Sequence, residues 1–275
     1  MALIVGAMGV PHTPVFPSTV DRDDLEQPTA RLFRRVADRL SAARADVVVM
    51  FDSDHLNTFF VDNMPIFSVG VSAATSGPND ATPGLGPMDV QVPEDLARHV
   101  RDVSIEAGFD TALTQEFTVD HSFLVPLHYL QESWDIPVVP VFVNGLVLPL
   151  PAASRCADLG RTVRDAVDGW PEDLRVVLCA SGSFSLEVGG PRMALGAIFG
   201  VPDPAWVERV AELLVDGDTD RLVTEATRDR MAGAGNVGGE VLNWVAVQAA
   251  MGAGTAAMDL QAELGHGYAW WEGIA

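Results

Sequence analysis

The chain has 275 residues, a formal charge of −21, 48 % hydrophobic and 20 % charged residues, which is the composition of an ordinary globular protein with a substantial core. So large a negative charge disfavours phosphate-bearing partners such as nucleic acid and anionic membrane. All 17 basic residues are arginine, so lysine Schiff bases, pyridoxal-phosphate anchoring and a Walker-type phosphate lysine are excluded as well.

In chain order, residues 2–8, 47–51, 65–71, 138–143 and 176–180 are strand-like apolar runs. Residues 23–43, 93–107, 123–131 and 154–167 between them have helical spacing. This alternation predicts a layered α/β sandwich whose sheet order the sequence leaves open. The last third reads as helical, over 204–215, 219–231 and 239–251. No linker or internal repeat interrupts the chain, so residues 1–275 are expected to form one catalytic domain. Residues 76–87 form a Gly/Pro-rich loop, either a functional lid or interface element or a disordered stretch. The longest uncharged run, 136–154, carries Pro137, Pro140, Pro149 and Pro151 and cannot be a regular membrane helix. Cys156 and Cys179 are too few for a disulfide scaffold or zinc ribbon. The start of the sequence has no signal-peptide pattern, and a cytoplasmic protein is expected.

Two histidines follow predicted strands, where ligand sites of open α/β sheets collect. They are His12, in Gly9-Val10-Pro11-His12-Thr13-Pro14, and His55, in Asp52-Ser53-Asp54-His55-Leu56-Asn57. His121 sits in a third loop, Val119-Asp120-His121-Ser122-Phe123. Taken singly, each is more often a hydrogen-bonded loop histidine; together at strand ends they suggest a site. His99 lies among charges on a helix and is expected to be solvated. His128 fits a core edge, and His266 is ambiguous. Glu240 opens an otherwise apolar helix, where a charge needs a partner: a metal, or simply the helix dipole. Two imidazoles and one carboxylate leave open positions for O2 and substrate on iron(II).

Two motifs are decoys. Residues 233–238 match G-x-G-x-x-G, with Asp259 about 20 residues on, but the preceding segment is charged and helical rather than a buried strand. Residues 70–74 approach a nucleophile elbow without its final glycine and read as the end of a strand.

Taken in order, the His12 loop, Ser53-Asp54-His55-x-Asn57, Pro65-Ile66-Phe67, Val119-Asp120-His121 with Val125-Pro126-Leu127, and Phe142-Val143-Asn144 form a recognisable series. Arg155-Cys156, 171–174, Gly190-Pro191-Arg192 and Glu240 continue it. The chain resembles the class III (LigB-type) extradiol ring-cleavage dioxygenases, especially the catalytic β-subunits of protocatechuate 4,5-dioxygenases. The resemblance implies a three-layer α/β/α sandwich with a mixed central sheet and a helical C-terminal third, iron(II) held by His12, His55 and Glu240, and His121 as an acid–base residue acting on a small aromatic substrate and O2. It also implies a homo-oligomer or a complex with a small capping subunit, since no cap is fused before Ala275. The family's second histidine, in a Gly-Gly-(Met/Leu)-Ser-His loop, has no counterpart: the chain reads Ser181-Gly182-Ser183-Phe184-Ser185-Leu186, with Leu186 at the histidine's position. His121, Glu187 or His266 could cover the missing proton step. Alternatively Leu186 walls an unusual substrate, or ring cleavage is lost. Arg192 is a candidate for a substrate carboxylate. The competing readings are a non-catalytic subunit and a zinc-dependent hydrolase in the same pocket.

Overall fold

The computed structural model describes residues 1–273. In chain order the elements are β1 (Leu3–Val10), α1 (Phe16–Thr19), α2 (Pro28–Ala43), β2 (Val47–Asp52), β3 (Phe67–Gly70), β4 (Ala74–Gly77), β5 (Met88–Gln91), α3 (Glu94–Glu106), β6 (Ala112–Thr114), α4 (His121–Leu130) and β7 (Val138–Val143). They continue with α5 (Ala153–Asp168), β8 (Arg175–Ser181), β9 (Glu187–Val188), β10 (Phe199–Gly200), α6 (Pro204–Asp216), α7 (Thr219–Glu225), α8 (Arg228–Gly233), α9 (Val241–Met251), β11 (Ala256–Gln261) and β12 (His266–Glu272).

Eight strands form the central sheet in the order β11-β12-β1-β8-β2-β7-β3-β6. β1, β8, β2 and β7 run parallel, whereas β3 opposes β7 and β12 opposes β1, so the sheet is mixed. Side chains alternate across a strand, and β2 shows the result. Val47, Val49 and Phe51 enter one core with residues of α3, α5, α6 and α9; Val48 and Met50 enter a second with Phe33, Leu40, Phe123 and Leu127 of α2 and α4. Strands buried on both faces read as continuous apolar runs, and that is how they were predicted.

Several boundaries are set by local chemistry. α2 begins at Pro28 rather than residue 23, because a proline lacking its N–H suits the first helical turn. α4 begins at His121, two residues earlier than its spacing suggests, because the Asp120 carboxylate accepts from Ser122 N at its start. The helix predicted over 219–231 divides into α7 and α8, since Thr227 caps Arg230 N.

The helical reading of the last third omitted β11 and β12. This hairpin pairs antiparallel to β1 and buries Tyr268, Trp270 and Trp271 in the chain's own core. Of the histidines outside the site, His128 lies at the core edge, while His99 is half-buried and bonded through Nε2 to Ala166 O at 3.0 Å rather than solvated. The glycine-rich stretch 233–238 follows α8, not a strand, which removes the dinucleotide fingerprint.

α9 is buried at all eleven positions, as expected of a helix apolar all round. A β-carbon on Gly160 of α5 would lie 1.9 Å from Ala246 O, so only glycine lets α5 pack this closely on it. The turn before α9 carries Glu240 to the carboxyl ends of β1 and β2. No described helix is long and apolar enough to cross a membrane.

Candidate metal centre

His12 follows β1 and is 3 % exposed. Its Nδ1 lies 2.8 Å from Ser181 Oγ, and that hydroxyl donates its one hydrogen to Ser122 O at 2.6 Å. The serine oxygen must therefore accept from His12, which places the imidazole proton on Nδ1 and the lone pair on Nε2. Burial, partly opposed by Glu240, lowers the His12 pKa, so the ring is neutral near pH 7.

His55 follows β2. The preceding Asp54 carboxylate accepts from Asn57 N, Thr58 N and Phe59 N at 3.2, 2.8 and 3.0 Å, an Asx-type turn that ties down the loop. Within it Leu56 takes the left-handed conformation, φ 66°, which an L side chain enters at some cost. Asp120 Oδ2 accepts from His55 N at 2.8 Å and from Asn57 Nδ2 at 3.0 Å, and lies 3.5 Å from His55 Nδ1. Burial opposes charge on His55, but its contacts with Asp120 and Glu240 outweigh it and hold the pKa well above the ordinary value.

Glu240 Oε1 lies 3.1 Å from His12 Nε2 and 3.1 Å from His55 Nε2, while Oε2 accepts from Ser183 N at 2.7 Å. Gly182 makes this approach possible: at its φ of 147°, a β-carbon would stand 2.6 Å from Glu240 Cβ. Burial would raise the carboxyl pKa, yet the two histidines hold it far below the usual carboxylate range.

The donor set fits a metal on this geometry alone. His12 Nε2 and Glu240 Oε1 point lone pairs at each other inside a site whose members are 3 % and 1 % exposed. Such an arrangement repels itself unless a cation stands between the donors. Behind His12 stands the polar partner that ligating histidines use to hold tautomer and orientation, Ser181; behind His55, Asp120 holds the backbone N–H and stands 3.5 Å from Nδ1.

His121 completes the cluster from the start of α4. Its ring centroid is 4.4 Å from that of His55 and 5.6 Å from that of His12, and one ring nitrogen of each of the three lies within 4.8 Å of the others. Its Nδ1 is bonded to Asp80 Oδ2. Beneath it, Ser122 Oγ contacts both Asp52 Oδ2, at 2.9 Å, and Asp120 Oδ1. One hydroxyl hydrogen cannot serve two carboxylates, so one of the acids carries a proton. That acid is Asp52, whose pKa burial and the neighbouring Asp120 raise well above normal. For Asp120, burial is overcome by hydrogen bonds and the His55 and His121 charges, which hold it well below.

The remaining residues singled out in the sequence lie apart. His266 is fully buried behind His12, its Nε2 2.9 Å from Thr13 Oγ1, and burial aided by His12 pushes its pKa down to about 3; it is no acid near neutrality. Glu187 pairs with Arg192 at 2.7 Å and accepts from Asn236 N at 2.9 Å. Arg192 is further engaged by Ala232 O and Gly233 O at 2.8 and 2.9 Å. Neither Glu187 nor Arg192 is drawn to the donor cluster. Leu186 is 6 % exposed and brings no polar atom. Sequence reasoning assigned no role to Asp80, Asp52 or Ser181, although Asp52 and Ser181 stand inside the segments 52–57 and 181–186, as Asp120 and Ser122 stand inside 119–123.

The sequence model of the family described as "Catalytic LigB subunit of aromatic ring-opening dioxygenase" matches residues 6–269. A 2,3-dihydroxyphenylpropionate/2,3-dihydroxicinnamic acid 1,2-dioxygenase from Photorhabdus laumondii is 29 % identical, covering 87 % of this chain and 86 % of that protein. One of the same name from Klebsiella pneumoniae is 30 % identical over 78 % and 79 %. A gallate dioxygenase from Pseudomonas putida is 35 % identical over 58 % of this chain and 45 % of that one. Among solved structures, an uncharacterized protein from Escherichia coli K12 superposes with a TM-score of 0.62 at 16 % identity, covering 98 % of this chain and 100 % of that one, a likeness of fold.

Proposed function

The chain belongs to the family of catalytic LigB subunits of aromatic ring-opening dioxygenases, and from that premise we propose that it cleaves the ring of a catechol-type substrate with O2 at an iron(II) centre. The observation that carries this reading is the convergence of His12 Nε2, His55 Nε2 and Glu240 Oε1 at 3.1 Å. Two imidazoles and one carboxylate form the ligand set that leaves positions open on iron(II). When bound there, the metal supplies a chelation point for adjacent hydroxyls and the electrons that make O2 reactive.

The protein's own residues do the rest. Ser181 holds the His12 ring in orientation, and Asp120 holds the backbone N–H of His55. His121 accepts a substrate hydroxyl proton at Nε2 as the diol enters and returns it to oxygen as the ring opens, a task suited to an imidazole, which accepts and donates a proton through the same nitrogen. With His266 held neutral and Glu187 committed to Arg192, His121 is the proton carrier the geometry favours. Leu186 presents an apolar wall, which favours a substrate needing one acid–base residue rather than two. Relatives named for 2,3-dihydroxyphenylpropionate and for gallate point to a hydroxylated aromatic acid. We read residues 1–275 as one cytoplasmic catalytic domain that works as a homo-oligomer or with a small capping subunit.

The test is anaerobic reconstitution with iron(II), followed by O2 uptake and visible absorbance with catechols, aminophenols and hydroxybenzoates. Iron-dependent uptake with a coloured ring-opened product is expected. No uptake across the panel would sink ring cleavage, and hydrolytic activity restored by zinc alone would replace it with a hydrolase.

A further inference from the structure

We propose that Asp80, carried to the site by the loop between β4 and β5, is the positioning residue of His121, fixing its imidazole proton on Nδ1 so that Nε2 carries the lone pair. The proposal deepens the ring-cleavage reading and rests on it for its catalytic consequence.

Asp80 lies 41 positions before His121, on the loop whose composition alone left lid and disorder equally open. The structure ties this loop to the segment leading into α4. Thr75 Oγ1 donates to Phe117 O at 2.8 Å, Val119 N to Ser76 O at 3.0 Å, Asn79 N to Val119 O at 2.9 Å, and Asn79 Nδ2 to Thr118 Oγ1 at 3.0 Å. These bonds tie the two segments together, and their junction delivers Asp80 to His121. Both carboxylate oxygens are used: Thr82 Oγ1 donates to Oδ1 at 2.6 Å, and Oδ2 meets His121 Nδ1. The side chain is 16 % exposed. Burial opposes its charge, but the hydrogen bonds from His121 and Thr82 prevail and keep it ionised.

An ionised carboxylate accepts and cannot donate. Neutral His121 must therefore place its hydrogen on Nδ1, and Nε2, which has no hydrogen-bond partner among the described residues, holds the lone pair. When Nε2 takes a proton from a substrate hydroxyl, the O–H bond breaks, an N–H bond forms, and the resulting imidazolium faces the Asp80 charge. A carboxylate behind a catalytic histidine acts in this way in hydrolytic triads, where its amide replacement presents the wrong tautomer.

Asp80→Asn tests the assignment. Thr82 still donates to Oδ1, so the new amide turns its NH2 toward His121 Nδ1 and favours the Nε2–H tautomer. In metal-free protein with 15N-labelled histidine, long-range 1H–15N correlation should find Nδ1–H at His121 in the wild type and Nε2–H in Asp80→Asn. In iron-loaded protein, kcat with 2,3-dihydroxyphenylpropionate should fall about 100-fold or more, with KM and iron content changed less than about threefold and Asp80→Glu restoring part of the loss. In a His121→Gln background, Asp80→Asn should cost nothing further, since the two act as a unit. An Nε2–H wild type, an unchanged kcat, or a full additional loss in the double variant overturns the proposal. If the loaded wild type opens no diol, the ring-cleavage reading fails by itself, and the tautomer still decides the role of Asp80.

Discussion

The loops leaving the adjacent strands β2 and β8 face the same centre and are built in opposite ways. The β2 exit is held by side-chain polar groups: Asp54 gathers three backbone N–H groups, and Asp120 grips His55 from below. The β8 exit offers a backbone N–H from Ser183 and the apolar Leu186, while its polar side chains turn away. Ser185 donates to Ala234 O, and Glu187 is taken by Arg192. Beyond it Leu195 and Ile198 stand on the surface. A donor atom must be held to within a fraction of an ångström, which requires a full set of partners. A wall needs only to exclude water. The β2 exit is thus pinned by side chains, whereas the β8 exit meets the centre through one backbone N–H, on Glu240.

Substitutions should separate these roles. His55→Ala removes a ligand from the pinned side, and we expect iron content to collapse and kcat/KM to fall at least about 10³-fold; metal analysis alongside O2 uptake checks it, and retained iron would break the contrast. A second prediction concerns the seat of the β8 loop, where Phe184 N donates to Gly265 O at 2.8 Å beside His266. The folded pKa of His266 is about 3 against an ordinary 6.5. Below pH 6.5 the unfolded chain therefore gains a proton that the folded chain refuses. The sign is loss of stability on acidification, fully absent above pH 6.5 and about 2 kcal/mol at pH 5. Urea unfolding of metal-free protein at pH 7 and 5 should show that penalty in the wild type and its absence in His266→Gln; equal acid sensitivity would refute it. The smallest effect is expected from Arg192→Ala on the β8 side. Iron content should be unchanged, with KM for 2,3-dihydroxyphenylpropionate shifting less than about tenfold. Loss of iron there would mean that both exits hold the centre.

How far the sequence disclosed this follows the same division. The strands at 47–51, 138–143 and 176–180 were legible because burial on both faces leaves unbroken apolar runs. The β11–β12 hairpin was not: β11 reads Ala-Ala-Met-Asp-Leu-Gln, without β-branched residues, and its pattern is set by pairing at a sheet edge. His12 and His55 were visible because they follow such strands, and Glu240 because a charge borders an apolar helix. The roles of Ser181 and Asp80 were not legible. A hydrogen bond spanning 169 or 41 positions leaves no periodicity, and any of the many serines or acids could have made it. Leu186 was noticed only through the family resemblance, since a leucine at a loop–core boundary draws no attention.

The buried α9 gives the centre a second significance. Its leading turn holds Glu240 against His55, 185 positions away, and against His12 on the opposite side of the sheet's midline strand β8. A cation held there as proposed would work as a reversible cross-link among the first strand, the third strand of the parallel set and the most deeply enclosed helix. Occupancy at 100 times the dissociation constant would add about 2.7 kcal/mol to global stability. Release of the ion would then be felt as loosened resistance to proteolysis, far from any substrate.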